Sequence, residues 1–366
     1  MLLNEMEQRA AINYAKAIGI IYVVSGHLPN SIFNIITPYM FHMPLFFFLG
    51  GMLFKLKDGK SFARVLVSKF IVYIIVTYTI IGLLSIVLNK YFGFVSIPSP
   101  FEGGVLHTLN NIFSSNFHNN NLFLVAWFLF AYMVSLVVLQ LVCYAVRNVN
   151  PSKSSAFLAV LGLASGWIGI DYLSVLYKSS GNILYHYACE FSVAFMFMAL
   201  GKSISKSIFK LMNLNIAIVL FITIITLKYS GFTSDIVMSW SGYNHSAILT
   251  IIQVTGCIYL VMFMSSILSK TDYRRLSSFL GENTKSIMSY HFTVFIVIDW
   301  VLGQFFYLDY KSASALGGRF PQESYYAVYM VSALVVPVYC GMVWNRLISY
   351  IQGWQLLYKL RAKIFT

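Results

Sequence analysis

Acidic side chains are scarce in this chain, and charge of either sign is thin. Asp and Glu number 12 against 25 Lys and Arg, and charged residues make up 10% of the 366, where an average soluble domain carries roughly 25%. Hydrophobic residues reach 58%, against roughly 45–50%, so a soluble fold of this length could not clothe its surface in polar groups. Cysteine is sparse too. Cys143, Cys189, Cys257 and Cys340 sit in apolar stretches with no metal-ligand or redox spacing, which excludes a disulfide framework and leaves them as small packing residues. A cleavable signal peptide is not expected. Glu5, Glu7 and Arg9 precede the first apolar run, and no small-residue cleavage site follows it. Nothing resembles a separate soluble domain, so residues 1–366 read as a single polytopic unit with a short basic tail at 350–366.

What the chain has in abundance is long apolar runs. Phe70–Leu88, Leu122–Val142, Ala247–Leu268 and Tyr326–Leu347 each approach or exceed the ~20 residues a helix needs to cross hydrocarbon. Ten spans are placed at about residues 10–28, 36–54, 69–88, 122–145, 156–176, 183–201, 211–229, 247–268, 286–306 and 326–348. With the N-terminus in the cytoplasm, nineteen Lys and Arg fall on inner segments and five (Lys90, Lys178, Lys228, Lys311 and Arg319) on outer ones, with Lys16 inside a span. That bias orients the protein with both ends cytoplasmic. The formal net charge of +13 is therefore a signal of topology, and nucleic acid is not expected as a partner. The fold class is an all-α integral membrane protein with the lipid bilayer as its solvent.

The longest connection, 89–121, is rich in Gly, Pro, Ser and Asn, and connections of that length are usually functional or disordered. Outer segments near 230–246 and 307–325 carry Trp240, Tyr243, Asn244, His245, Tyr307 and Tyr310. Aromatics at such depths are first of all interface anchors; a carbohydrate-binding surface is the sharper alternative. No inverted repeat of the kind seen in many transporters is visible.

Ionisable side chains inside spans are costly and usually face a cavity or a partner. Here they are Lys16, His27, His42, Asp171, His186, Glu190, His291 and Asp299. Lys16 and His27 lie eleven residues apart, which returns to within about 20° of the same helix face and separates them by roughly 16 Å along the axis. One face thus carries a cation toward the cytoplasm and an imidazole toward the outside; the bland alternative is a snorkelling lysine and a capping histidine. In the run from Tyr39 to Gly51, Pro44 is expected to open the helical hydrogen-bond ladder, giving a kinked segment that is tolerated at membrane depth only beside protein or a cavity. His42 could then share the cavity of His27, or simply be packed. His186 and Glu190, four residues apart, share a face and either neutralise each other or position an acceptor hydroxyl. Asp171 and Asp299 lie toward outer ends, where water is close. In Gly281-Glu282-Asn283-Thr284-Lys285, Asn283 and Thr284 could cap the ninth span.

Taken in order, these clusters resemble the acyltransferase 3 family, the membrane O-acyltransferases that modify bacterial surface glycans. Lys16 and His27 match its motif of a basic residue, a ten-residue gap and a histidine. Phe41-His42-Met43-Pro44-Leu45-Phe46-Phe47 matches its Phe-His-Met-Pro-Leu-Phe-Phe segment. Gly281, Asn283, Thr284 and His291 match its late Leu-Gly-Lys-Asn-Ser…His pattern, and Trp127-Phe128-Leu129 resembles a fourth element. Three positions depart from the family: Asn13 stands for a common Asp, Gly50 for a Ser, and Lys285 for an apolar residue. An Asn at position 13 cannot neutralise Lys16, which then depends on a bound anion. The esterase-like domain fused to some relatives is not expected here.

The resemblance implies transfer of an acyl group, most often acetyl, from cytoplasmic acyl-CoA to a sugar hydroxyl of a surface polysaccharide or its lipid-linked precursor, in the bacterial cytoplasmic membrane. Histidine's ordinary pKa near 6.5 suits removal of a hydroxyl proton near neutral pH, and His27 is the expected catalytic base, acting directly or through an acyl-histidine. Lys16 is expected to attract a CoA phosphate or the oxyanion. His42, His291 and Asn283 are expected to bind or support substrate, with His186 and Glu190 as further candidates. No metal and no permanently bound cofactor are expected; acetyl-CoA is a co-substrate. A polytopic transporter or polymerase of lipid-linked sugars is the alternative class.

Overall fold

The computed structural model describes residues 3–28, 32–271, 274–317, 325–343 and 346. Helices stand at all ten expected places: α1 (Glu5–Ser25), α2 (His42–Leu53), α3 (Gly59–Phe92), α5 (Ala126–Ala145), α6 (Pro151–Ser180), α7 (Ile183–Ile204), α8 (Leu214–Tyr229), α9 (Ala247–Leu268), α11 (Thr284–Phe306) and α12 (Tyr325–Val343). Seven of these are long and apolar enough to cross a membrane, and the protein is an all-α integral membrane protein. Two short helices, α4 (Gly104–Ser114) and α10 (Arg274–Gly281), lie in connections. A ribbon of β1 (Ile236–Val237) and β2 (Gly242–Tyr243) is antiparallel, with Ile236 opposite Tyr243.

The ends of α1 and α2 differ from expectation for local reasons. Asn4 caps α1 by accepting from the Glu7 amide at 2.9 Å while Glu7 accepts from the Asn4 amide at 2.8 Å, a reciprocal pair that starts the helix before its apolar run. Pro44 does not kink a helix. It occupies the first turn of α2, where a missing N–H is no loss because the first amides of a helix have no intrahelical partner. The chain before it is a 3-10 turn, Pro38–Met40. At 12 residues, α2 spans only about 18 Å, short of the roughly 30 Å hydrocarbon core. Apart from Leu53 it is buried along its whole length, as an all-round apolar helix should be.

Glycines explain how α2 can be so enclosed. A Cβ on Gly51 would lie 1.8 Å from the Met198 carbonyl oxygen of α7, and one on Gly201 would lie 2.0 Å from the Phe48 carbonyl oxygen of α2. The two backbones therefore touch at two reciprocal points, a close approach that small residues permit between membrane helices.

Two helices carry a wide π turn, Val67–Ile71 within α3 and Ile168–Leu173 within α6. Such turns re-aim side chains and recur at functional positions. The second holds Asp171, whose Oδ1 accepts from the Ala247 amide at 2.8 Å and so caps α9 from a neighbouring helix. Asp299, expected near water, is instead fully buried and accepts a short hydrogen bond from the Tyr329 hydroxyl.

Contacts at helix ends and in connections join residues that the charge bias assigns to the same side. Lys202 Nζ donates to the Phe54 carbonyl at 2.9 Å and the Gln140 amide to the Lys57 carbonyl at 2.6 Å on the inner side. On the outer side Lys178 Nζ donates to the Tyr243 carbonyl at 3.1 Å and the Val95 amide to the Lys311 carbonyl at 3.1 Å. The connection 89–121 is better ordered than its composition suggests, since it contains α4 and buries Asn116 and Asn120.

Candidate active site

Two pockets open on one set of four helices, α1, α2, α5 and α11. The outer one is a cavity of about 110 Å³ whose walls include His27, His42, His118 and His291, with Tyr39, Trp127, Trp240 and Phe292. The inner one, about 270 Å³, is lined by Lys16, Lys69 and Lys285 together with Phe46, Phe128, Tyr132 and Met288. Each of the four helices contributes to both, with an offset along its length. On α1 and the turn that follows it, the offset runs from Lys16 to Val23 and His27; on α11 it runs from Thr284, Lys285 and Met288 to His291 and Phe292. Met43 lines the outer pocket, and Phe46, Phe128 and Met288 line the inner one.

The outer cavity gathers its histidines from four separate places in the chain. His27 is the second residue past α1 and half-buried; its ring lies over that of His291 with centroids 5.4 Å apart and planes inclined by 27°. Phe292 closes one side at 4.7 Å. His291 Nδ1 faces the Met288 carbonyl at 2.8 Å and the Ile287 carbonyl at 3.1 Å. A carbonyl can only accept, so Nδ1 carries a proton. His42 is held the same way, donating from Nδ1 to the Pro38 carbonyl in a short hydrogen bond. The turn at Pro38–Met40 thus sets both the start of α2 and the tautomer of His42. Tyr39 stands edge-on to His42 at 5.3 Å and to His27 at 6.4 Å.

In the inner pocket, Lys285 Nζ donates to the Lys69 carbonyl at 2.8 Å and sits 3.3 Å from the centroid of the Tyr73 ring. Lys69 belongs to the π turn of α3, which brings it to this pocket. Gly50 forms part of the floor, and the Tyr132 hydroxyl lies only 2.3 Å from where its Cβ would be. The space of the family's serine is therefore already filled. The missing acid at position 13 is compensated from another helix end. Asn13 donates to Glu282 Oε1 at 3.1 Å, and Gly281 makes the approach possible, since a Cβ there would be 2.4 Å from the Asn13 carbonyl. Glu282 thereby brings a carboxylate to the neighbourhood of Lys16.

The remaining candidates stand outside these linings. Asn283 occupies the N-cap position of α11 but makes no cap bond with its side chain, which donates instead to the Phe279 carbonyl at 2.8 Å; its neighbours Thr284 and Lys285 reach the pocket. His186 and Glu190 form the expected pair at 3.5 Å, both buried, and Asn116 donates to Glu190 at 2.7 Å beside His186 Nε2 at 2.9 Å. Among the described residues no group of three His, Cys, Asp or Glu side chains is arranged to hold a metal ion.

In the sequence Lys69 and Lys285 are explained by the charge bias, although basic inner residues could also attract CoA. The lysine at a position that is apolar in the family was the available signal. Trp240 stands in an outer segment for which a carbohydrate-binding surface is the sharper alternative, but its meeting with His118 depends on two connections folding together.

The fold and the two pockets define a class, a polytopic all-α membrane protein with a histidine-lined cavity above a lysine-lined one. The profile of the acyltransferase 3 family, an acyltransferase domain, matches residues 9–343, and the chain belongs to that family. It is a membrane acyltransferase. No curated protein and no solved structure matched the sequence.

Proposed function

We propose that this acyltransferase is an O-acetyltransferase that moves an acetyl group from cytoplasmic acetyl-CoA to a hydroxyl of a surface polysaccharide or its lipid-linked precursor, in the bacterial cytoplasmic membrane. The observation that carries the reading is the placement of Lys16 and His27, eleven residues apart, in two pockets on the same four helices. Acetyl-CoA would enter from the lysine side. Its phosphates pair with Lys16, Lys69 and Lys285, and its long thiol-bearing arm passes between Phe46, Phe128 and Met288 toward the histidines. The acceptor hydroxyl enters from the outer side.

In the reaction, His27 removes the hydroxyl proton as the oxygen attacks the thioester carbonyl; the new C–O bond forms, the C–S bond breaks, and the proton passes to the departing thiolate. His291 and His42, each with Nδ1 committed to a backbone carbonyl, fix the walls of the cavity against which the ring of His27 works. Both directions of approach follow from the charge bias, which puts the lysine pocket at the cytoplasmic end. NMR of the host's surface polysaccharide, with and without the gene, tests the reading. Loss of O-acetyl signals on deletion supports it, and an unchanged spectrum refutes it.

Removing one of three cations should weaken donor binding without stopping the chemistry. Lys285→Met is expected to raise the KM for acetyl-CoA about tenfold, with kcat held within about threefold, and to make donor binding less sensitive to salt. A loss of kcat at unchanged KM would remove Lys285 from the donor site.

A further inference from the structure

The outer cavity has one wall that the chemistry just described does not use. His118 comes from the connection after α4, and Trp240 from the turn between β1 and β2. Their rings stack with centroids 4.3 Å apart and planes inclined by 27°, and both line the cavity that holds His27 and His291. Trp240 keeps 51% of its surface exposed, so its indole face is open beside the cavity. Burial holds the His118 imidazole below its ordinary pKa, with the Ser115 carbonyl opposing, so a neutral ring faces the indole.

The wall is fixed from behind by buried polar groups. Asn116, two residues before His118, donates to Glu190 at 2.7 Å and adjoins His186 Nε2 at 2.9 Å. Ser241, one residue after Trp240, meets His186 Nδ1 at 2.7 Å. A single helix face of α7 therefore clips both connections at once. Both clipped residues are non-glycine with left-handed backbones, φ 49° at Asn116 and 46° at Ser241, and Phe117 between Asn116 and His118 is also left-handed at 66°. A left-handed backbone at a bulky residue is unfavourable and persists where surrounding structure over-determines it. His186, Glu190 and Asn116 are 1%, 0% and 2% exposed, and none of them lines the cavity.

We infer that the His118–Trp240 stack is a platform that receives the apolar face of the acceptor's sugar ring and presents its hydroxyl to His27, with Asn116, His186, Glu190 and Ser241 as positioning residues that hold the platform. A pyranose offers a patch of C–H bonds on one face and hydroxyls at its rim. An exposed indole matches the first with a rigid, amphipathic surface at low entropic cost. The histidines across the cavity match the second. This rests on the glycan-acceptor reading above.

The test uses the full-length protein in lipid nanodiscs. The probe is an oligosaccharide released from the host's surface polysaccharide and stripped of O-acetyl groups by alkali. Its binding is measured without acetyl-CoA, so the platform is tested apart from transfer. Trp240→Leu keeps apolar bulk but removes the ring and should weaken binding of the oligosaccharide at least tenfold, whereas Trp240→Phe should stay within about threefold of the natural protein. Asn116→Ala should reproduce the Leu effect, and Glu190→Gln, which keeps an acceptor for Asn116, should retain near-natural binding. Acetyl-CoA binding should be unchanged in all four. Equal binding by Trp240→Leu and the natural protein, or a parallel loss of oligosaccharide and acetyl-CoA binding, overturns the platform. Binding that shows this pattern while no acetyl is transferred to the oligosaccharide would instead overturn the acetyltransferase reading and leave the platform standing.

Discussion

His27→Ala is expected to lower acetyl transfer at least ~10²-fold, the lower end of what a positioned general base contributes, while the protein remains folded in the membrane. The ring is half-buried and lies past the end of α1. Its ring packs against those of Tyr39, His291 and Phe292. The histidines that stay behind cannot substitute easily. His42 and His291 are each committed through Nδ1 to backbone carbonyls and belong to other helices, so neither can swing into the place His27 leaves. Turnover by the purified variant, with thermal stability measured alongside, checks the prediction. Transfer within a few-fold of the natural rate would remove His27 from the chemistry.

Gly51→Val should have the largest structural effect of any single change, costing about 4 kcal/mol or more, the range reserved for severe core disruption. The obstacle is backbone. The added Cβ would lie 1.8 Å from the Met198 carbonyl oxygen and 2.6 Å from its carbon, so no side-chain rotamer relieves the clash and α2 must move away from α7. Because Gly201 makes the same approach to Phe48 from the other helix, shifting one contact opens the other. His42 and Phe46 travel with α2, so the site suffers with the fold. The recovery of monodisperse protein in detergent and its melting temperature measure the effect. Gly59→Ala serves as the control, since a Cβ there meets nothing within 4 Å and should change little. Equal melting of Gly51→Val and the natural protein would contradict the crossing.

Much of the fold was legible because the bilayer makes hydropathy a strong signal, and each of the ten expected spans corresponds to a helix. The failures were local. The lead-in to α2 does not read as a turn in the sequence, which suggests a kink at Pro44, whereas Pro44 sits in a first turn. A place toward a helix end suggests water near Asp299, but it is buried and accepts from Tyr329, thirty residues away. The connection 89–121 looked irregular from its Gly, Pro and Asn content, yet α4 forms within it. At the site, helical periodicity puts Lys16 and His27 on one face; α1 ends at Ser25, so His27 stands on the turn beyond it, and the two line separate pockets. The basic trio and the His118–Trp240 wall do not follow from periodicity, since each depends on residues more than a hundred positions apart meeting through tertiary packing. Asn13 shows the same limit: its departure from the family made Lys16 look unaccompanied, and the acid that answers it, Glu282, comes from the far end of the chain.

If the lysine pocket and the histidine cavity are the two ends of one passage, donor and acceptor need not share a side of the membrane, and proteoliposomes can separate them. Acetyl-CoA labelled in the acetyl group is supplied on one side of a sealed bilayer, and the de-O-acetylated oligosaccharide is enclosed on the other. Labelled O-acetyl sugar is expected with the reactants separated, at a rate at least ~10²-fold lower when His27 is replaced by alanine. Transfer only when both reactants share one side of the membrane would contradict the passage.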